Sequence, residues 1–156
     1  MTELDRTDRR ILDVLQRQGR ISMTELGERI GLSTSPCAER VKRMERNGVI
    51  TGYHARVNPQ ALGKGVLVFV EITLSQKSGE VFERARRELL AMPEVMECHL
   101  VAGNFDYLVK ARLQDMSEYR GLLGDILAKI AVPVQSHSYV VMEEVKETSY
   151  VAVAGV

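Results

Sequence analysis

Residues 22–46 read SMTELGERIGLSTSPCAERVKRMER, and this stretch decides the fold of the first half of the chain. Ser22 and Glu25 have capping-box spacing: the Ser22 hydroxyl accepts the Glu25 N–H, and the Glu25 carboxylate reaches back. Leu26 and Ile30 form the apolar stripe of a short helix, and Gly31 stands where a helix end favours a left-handed residue. Leu32 fills the turn. A third helix starts at Ser33 or Ser35; Ser35-Pro36 reads as an N-cap followed by a proline whose missing N–H costs nothing there. Cys37, Val41 and Met44, spaced four and three apart, make its inner face. Glu39, Arg40, Lys42, Arg43 and Arg46 occupy the other faces. A short helix, a glycine turn and a second helix with a basic outer face make a helix-turn-helix.

The flanks agree with this reading. Upstream, Asp5 is an N-cap, Asp8 adds negative charge to the first turn, and Ile11, Leu12 and Leu15 share one helical face until Gln18-Gly19 stops it. Downstream, Asn47-Gly48 ends the third helix. Val49–Val57 then has strand composition around Gly52, and Asn58-Pro59 breaks it, which predicts a hairpin serving as a wing.

The chain has 156 residues with 21 Lys and Arg against 21 Asp and Glu, yet the charge is unevenly placed. Residues 1–65 hold 12 bases and 8 acids, a net of +4, so the remainder carries −4. A basic half joined to an acidic half implies two tasks, the basic one facing a polyanion. The second helix of a helix-turn-helix has the width of the DNA major groove. Ser33, Thr34 and Ser35 offer hydroxyls to phosphates or base edges, and Pro36 leaves the first turn short of one donor. Arg40 and Arg43 are assigned to guanine or phosphate, and Lys42 and Arg46 to phosphate, with Glu39 on the same surface.

The second half alternates strand and helix. Gly65–Ser75 is a β-branched run fit for a central strand. Val81, Phe82, Ala85 and Leu89 make a helical stripe capped by Ser78 and closed by Pro93. Val95–Ala102 and Tyr107–Leu113 are strands joined by the turn Gly103-Asn104-Phe105-Asp106. A helix capped by Asp115 or Ser117 carries Tyr119, Leu122, Leu123, Ile126, Leu127 and Ile130, and Val132-Pro133 stops it. Val134–Met142 is the last long strand, and Ser149–Val153 has strand composition. The order β-α-β-β-α-β predicts an α+β ferredoxin-like sandwich over residues 66–156, behind a winged helix-turn-helix and linker over 1–65. Phe69, Val70, Leu100, Val101, Val140 and Val141 supply apolar residues to both sheet faces, so a second copy of the chain is expected to cover the face without helices.

Other classes are set aside. With 45% hydrophobic and 27% charged residues the composition is globular, and no apolar run is long enough to span a bilayer. Met1–Arg10 is charged, so a secretory signal is not expected. Two cysteines, Cys37 and Cys98, make no disulfide framework, and the chain reads as cytosolic. In a strand Cys98 points away from Glu97 and His99, so these three do not converge on a metal. There is no nucleophile elbow and no phosphate-cradling glycine loop, and no enzyme is predicted.

The chain resembles the Lrp/AsnC family of transcriptional regulators over nearly its whole length. The resemblance is carried by Leu4-Asp5-Arg6-Thr7-Asp8, Gly19-Arg20-Ile21-Ser22, Gly31-Leu32-Ser33 with Pro36-Cys37-Ala38-Glu39-Arg40-Val41, and Gly48-Val49-Ile50-Thr51-Gly52-Tyr53. Further on it is carried by Val68-Phe69-Val70-Glu71-Ile72, Glu97-Cys98-His99-Leu100-Val101, Gly103-Asn104-Phe105-Asp106-Tyr107 and Tyr139-Val140-Val141-Met142-Glu143-Glu144. Each piece is weak alone; eight in order are specific. The resemblance implies double-stranded DNA as partner, homodimers assembling to tetramers or octamers, no membrane, and a cytoplasmic, nucleoid-associated regulator of amino-acid metabolism. It also implies an amino-acid effector such as leucine or alanine, and no other cofactor, bound beside the turn 103–106. Leu100, Val101, Gly103, Asn104, Phe105, Asp106, Met116, Gln135, Ser136, Ser138, Tyr139 and Val141 are the residues expected to line that site. Three departures from the family pattern stand out: Thr34 replaces a common Pro, Ala38 a larger apolar residue, and Asn104 the first Asp of the turn. The alternative to an effector-controlled regulator is an architectural DNA-compacting protein without an effector. A further reading is an amino-acid-binding regulatory subunit of an enzyme.

Overall fold

The structure is a computed structural model and describes residues 3–130, 132 and 134–155. Pro133, expected to stop the last helix, lies outside them. The chain divides into two compact units, Met1–Arg56 with Lys146–Val156, and Val57–Val145. The junction thus falls at Arg56/Val57 rather than Gly65, and the tail groups with the first unit.

The first unit holds three helices: α1 (Arg6–Arg17), α2 (Met23–Ile30) and α3 (Thr34–Arg46). Asp5 caps α1 through a complete capping box with Asp8. Ser22 caps α2 by accepting from the Glu25 amide, but the Glu25 carboxylate instead pairs with Arg29 at 2.7 Å, one turn on. Gly31 takes φ +77° and ends α2, a conformation that an L side chain would strain. The N-cap of α3 is Ser33, which places Pro36 in the first turn, where its missing N–H has no helical acceptor to lose. Ile11, Leu15, Leu26, Ile30, Cys37, Val41 and Met44 close one core. Each fully buried aliphatic side chain contributes about 1.5–3 kcal/mol. Arg10 donates to the carbonyls of Ile30 at 3.1 Å and Arg29 at 3.3 Å, supplying the C-terminus of α2 with donors it lacks.

The expected wing strands over Val49–Val57 are absent; that segment makes no ladder among the described residues. Strand composition supplies propensity but no partner. Nor does Ser149–Val153 form a strand. It packs on α1: Val151 and Gln16 exchange two hydrogen bonds (2.7 and 3.0 Å), and the Tyr150 hydroxyl donates to Asp13 at 2.6 Å. Arg17 lies 4.4 Å over the Tyr150 ring, Arg9 donates to the Ala154 carbonyl, and Arg56 to the Glu147 carbonyl.

The second unit is the expected sandwich. Strands β1 (Val66–Leu74), β2 (Val95–Leu100), β3 (Tyr107–Leu113) and β4 (Val134–Val140) form one antiparallel sheet in the order β2-β3-β1-β4. Helices α4 (Gly79–Leu90) and α5 (Met116–Lys129) are capped by Ser78 and Asp115. They bury Ala85, Leu89, Leu122 and Ile126 with Val68, Val70, Ile72, Leu74, Val109 and Ala111 in one core. The alternation of β1 puts Leu67, Phe69, Glu71 and Thr73 on the opposite face. That face is mixed, since Leu67 and Phe69 lie opposite Arg112 and Lys110. Glu97 pairs there with Lys110 at 3.0 Å and His99 at 3.3 Å, while Cys98 faces inward opposite Val109. Val70 and Val140, expected to help cover both faces, are in register with the helix-covered side.

Candidate nucleic-acid interface and ligand turn

Helix α3 has a dry side and a wet side. At 3.6 residues per turn, Ser35, Glu39, Lys42 and Arg46 fall within about 60° of one another. All four are exposed, as are Ser33, Thr34 and Pro36. This stripe lies opposite the buried Cys37, Val41 and Met44. Arg40 and Arg43 stand to one side of it. Arg40 donates to Asp5 at 2.6 Å and to Asp8 at 2.8 Å, and Arg43 donates to Asp8 at 2.6 Å. Asp8 is 1% exposed. Its carboxylate also accepts the Asp5 amide, so a single buried carboxylate serves the capping box and both arginines. The Asp8 amide and then the Arg40 guanidinium hold the Asp5 carboxyl below its ordinary range. The two arginines assigned from sequence to base contact are therefore engaged within the unit, and the exposed stripe is formed by the residues around them. Sequence offered one sign of this: Arg40 and Arg43 are off the stripe on a helical wheel. Their partners, more than thirty positions upstream, carry no local signature.

In the turn expected to hold the effector, Asp106 is engaged within the fold. Asp106 is 6% exposed. Its carboxylate accepts the Leu74 amide at 2.8 Å and pairs with Lys77 at 2.9 Å. Its own amide donates to the Ile72 carbonyl, and its carbonyl accepts from Val101. Burial pushes the Asp106 carboxyl upward, but the Lys77 ion pair and the Leu74 amide outweigh it and leave it below the ordinary range. Asp106 thus fastens the turn to the end of β1. Gly103 and Asn104 are exposed and Phe105 half-buried, and nothing lies within 4 Å of a Cβ built on Gly103. The amides of Ala102, Gly103, Asn104 and Phe105 have no acceptor among the described residues.

The other expected lining residues do not gather around this turn within one chain. The turn sits where Tyr107 pairs with Ile72, beside Leu100, which is 63% exposed. Ser136, opposite Ile72, is at that end of the sheet. Met116 follows β3 at the far end, and Val141 donates to the Leu67 carbonyl there. A seven-residue strand puts those ends about 20 Å apart. Along β4, Gln135 and Tyr139 face outward while Ser136 and Ser138 face the helix side, where Ser138 accepts from the Tyr119 hydroxyl at 2.5 Å. No group of three or more His, Cys, Asp or Glu capable of holding a metal occurs among the described residues.

A helix-turn-helix with an exposed polar stripe, followed by a βαββαβ sandwich with an open turn, defines a two-module DNA-binding regulator. Comparison with known proteins agrees. Residues 4–51 match the winged helix-turn-helix DNA-binding family and residues 67–151 the Lrp/AsnC ligand binding domain. The leucine-responsive regulatory proteins of Escherichia coli K12 and Salmonella typhimurium are each 52% identical over 147 residues, covering 94% of this chain and 90% of theirs. A transcriptional regulator of Neisseria meningitidis, solved as an L-methionine complex, superposes with a TM-score of 0.91 at 33% identity, over 97% of this chain and 98% of its own. An AsnC family regulator of Agrobacterium tumefaciens gives the same score and identity over 96% and 97%. The chain belongs to the Lrp/AsnC family of homo-oligomeric DNA-binding transcriptional regulators, and is a regulator rather than an enzyme.

Proposed function

We propose that this protein is a cytoplasmic, nucleoid-associated regulator of amino-acid metabolism whose assembly or DNA affinity responds to a small amino acid such as leucine or alanine. The observation that carries the effector reading is the row of unengaged amides at Ala102–Phe105. Backbone N–H groups free of acceptors in an open turn are donors that a carboxylate can take. The 52% identity to leucine-responsive regulatory proteins and the L-methionine bound to the Neisseria relative support an α-amino acid as the ligand. Asp106 is occupied by Lys77 and Leu74, so a ligand's ammonium takes its acceptors elsewhere. With Met116 and Val141 at the far end of the sheet, the expected lining residues complete a pocket only when a second chain contributes. This links occupancy to assembly: an effector that prefers one assembly state shifts the population toward it.

On the DNA side, α3 enters the major groove through Ser35, Glu39, Lys42 and Arg46, with Ser33 and Thr34 reaching phosphates from its N-terminus. Arg40 and Arg43 hold α3 against α1. Two α3 helices from a dimer meet successive grooves, so half-sites are inverted and about one helical turn apart.

The test is fluorescence anisotropy of DNA from upstream of the protein's own gene, at two salt concentrations, with each amino acid in turn. Saturable binding that outcompetes random DNA, falls steeply with salt and shifts with one amino acid is the expected result. Binding indifferent to every amino acid would favour an architectural protein without an effector, and no binding to any DNA at low salt would end the proposal.

A further inference from the structure

Helix α3 carries a carboxylate in the middle of its exposed stripe, and we infer that Glu39 is a specificity-determining residue that accepts a hydrogen bond from the exocyclic amino group of a cytosine. The inference rests on α3 being the groove-reading helix, as proposed above.

Three observations lead to it. Glu39 is exposed, one turn after Ser35 and one turn before Lys42, in line with Arg46. No described residue donates to it; the same holds for the exposed Glu28 on α2, whereas the exposed Glu25 pairs with Arg29 and Glu45 accepts from the Tyr53 hydroxyl. Of the two cations one helical turn after it, Arg43 is drawn away to Asp8 and Lys42 forms no ion pair with it among the described residues. Glu39 therefore meets the DNA unneutralised.

A bare carboxylate among phosphates is repelled unless it finds a donor. The major-groove edges offer two: the N4 amino group of cytosine and the N6 amino group of adenine. Adenine sets the N7 acceptor beside its amino group. A group with acceptors only, as a carboxylate is, fits cytosine. Lys42 and Arg46, one and two turns further along the stripe, offset the phosphate field that the carboxylate must enter. Glutamine at this position would carry one donor and one acceptor, the pattern that adenine matches.

The test uses the full-length protein and a library of duplexes with a randomised central segment. Wild-type selections are expected to hold cytosine at one position in each half-site, and replacing that cytosine costs about tenfold in affinity. Glu39→Ala keeps binding but loses discrimination at that position alone; Glu39→Gln moves the preference there to adenine. Matched thermal melting of all three proteins confirms intact folding. Two results overturn the inference while leaving α3 as the reading helix: Glu39→Ala retaining every wild-type base preference with affinity raised equally on all duplexes, or wild-type sites with no cytosine preference. If the wild type enriches no sequence at all, the groove-reading assignment fails together with it.

Discussion

Asp8 and Asp106 are two buried aspartates, one in each unit; in sequence the first reads as a helix-dipole charge and the second as a ligand acceptor. Both accept a backbone amide and both hold cations. They differ in what they secure. Asp8 binds two long side chains from another helix, so it fixes the angle at which α3 presents its outer stripe. Asp106 binds one lysine and the end of β1, so it fixes a loop and leaves the loop's own amides open. On the function proposed above, each clamp sits beside the surface assigned to its unit. A charged residue near a functional surface can thus be spoken for inside the fold, and the surface is read from what remains unengaged.

The largest effect expected is at Asp8. Asp8→Ala leaves Arg43 without its carboxylate partner and Arg40 with Asp5 alone, at a site that is 1% exposed. The penalty is about 2–3 kcal/mol after discounting for the partial exposure of the arginines. Hydrogen exchange would show protection lost through α1–α3 and retained in the sheet; equal loss in both units would break the comparison. Asp106→Asn keeps an acceptor for the Leu74 amide but loses the charge facing Lys77, at a cost of about 1–2 kcal/mol. Faster exchange at Leu74 and in residues 101–106, with the first unit untouched, is the expected readout.

A smaller effect is expected in the tail. Tyr150→Phe removes one hydrogen bond to Asp13 while keeping the ring under Arg17, which costs about 1 kcal/mol or less. The loss should appear in α1, although residue 150 follows β4 in the chain; a loss confined to the sheet would contradict the placement of the tail. pH sharpens the comparison further. The Asp5 and Asp106 carboxyls are both held below their ordinary value of 3.8. A depressed carboxyl contributes stability above its unfolded value and loses it as pH falls through the folded one. Calorimetry should therefore show both units weakening below about pH 4 through these groups, with neither group contributing a change between pH 5 and 8.

What was legible in the sequence was local or periodic. Asp5, Ser22, Ser78 and Asp115 cap the helices that their spacing predicts, and the period-two runs gave strands whose order the connections fix. What was not legible was long-range. Arg40 and Arg43 read as DNA contacts because their helix is amphipathic and basic, while Asp8 read as a helix-dipole charge. Nothing in either segment says that the three converge. The tail reads as a strand following β4, and only the hydrogen bonds from Gln16, Asp13 and Arg9 show it packed on α1. The wing at Val49–Val57 had strand composition without a strand to pair with. In the turn 103–106, Asp106 reads as an acceptor for a ligand; the partners it has within the fold, Leu74 and Lys77, lie about thirty positions upstream and carry no local signal.

The most direct test pairs two double variants, Lys42→Ala with Arg46→Ala and Arg40→Ala with Arg43→Ala, each measured for DNA affinity across a salt series and for thermal stability. Removing Lys42 and Arg46 should weaken DNA binding and lower the salt slope by about 2, with stability unchanged. Removing Arg40 and Arg43 should destabilise the first unit, and at temperatures where it remains folded the salt slope should stay near that of the wild type. The reverse pattern, with affinity and slope lost through Arg40 and Arg43 and stability untouched, would contradict the assignment of the outer stripe as the surface that reads DNA.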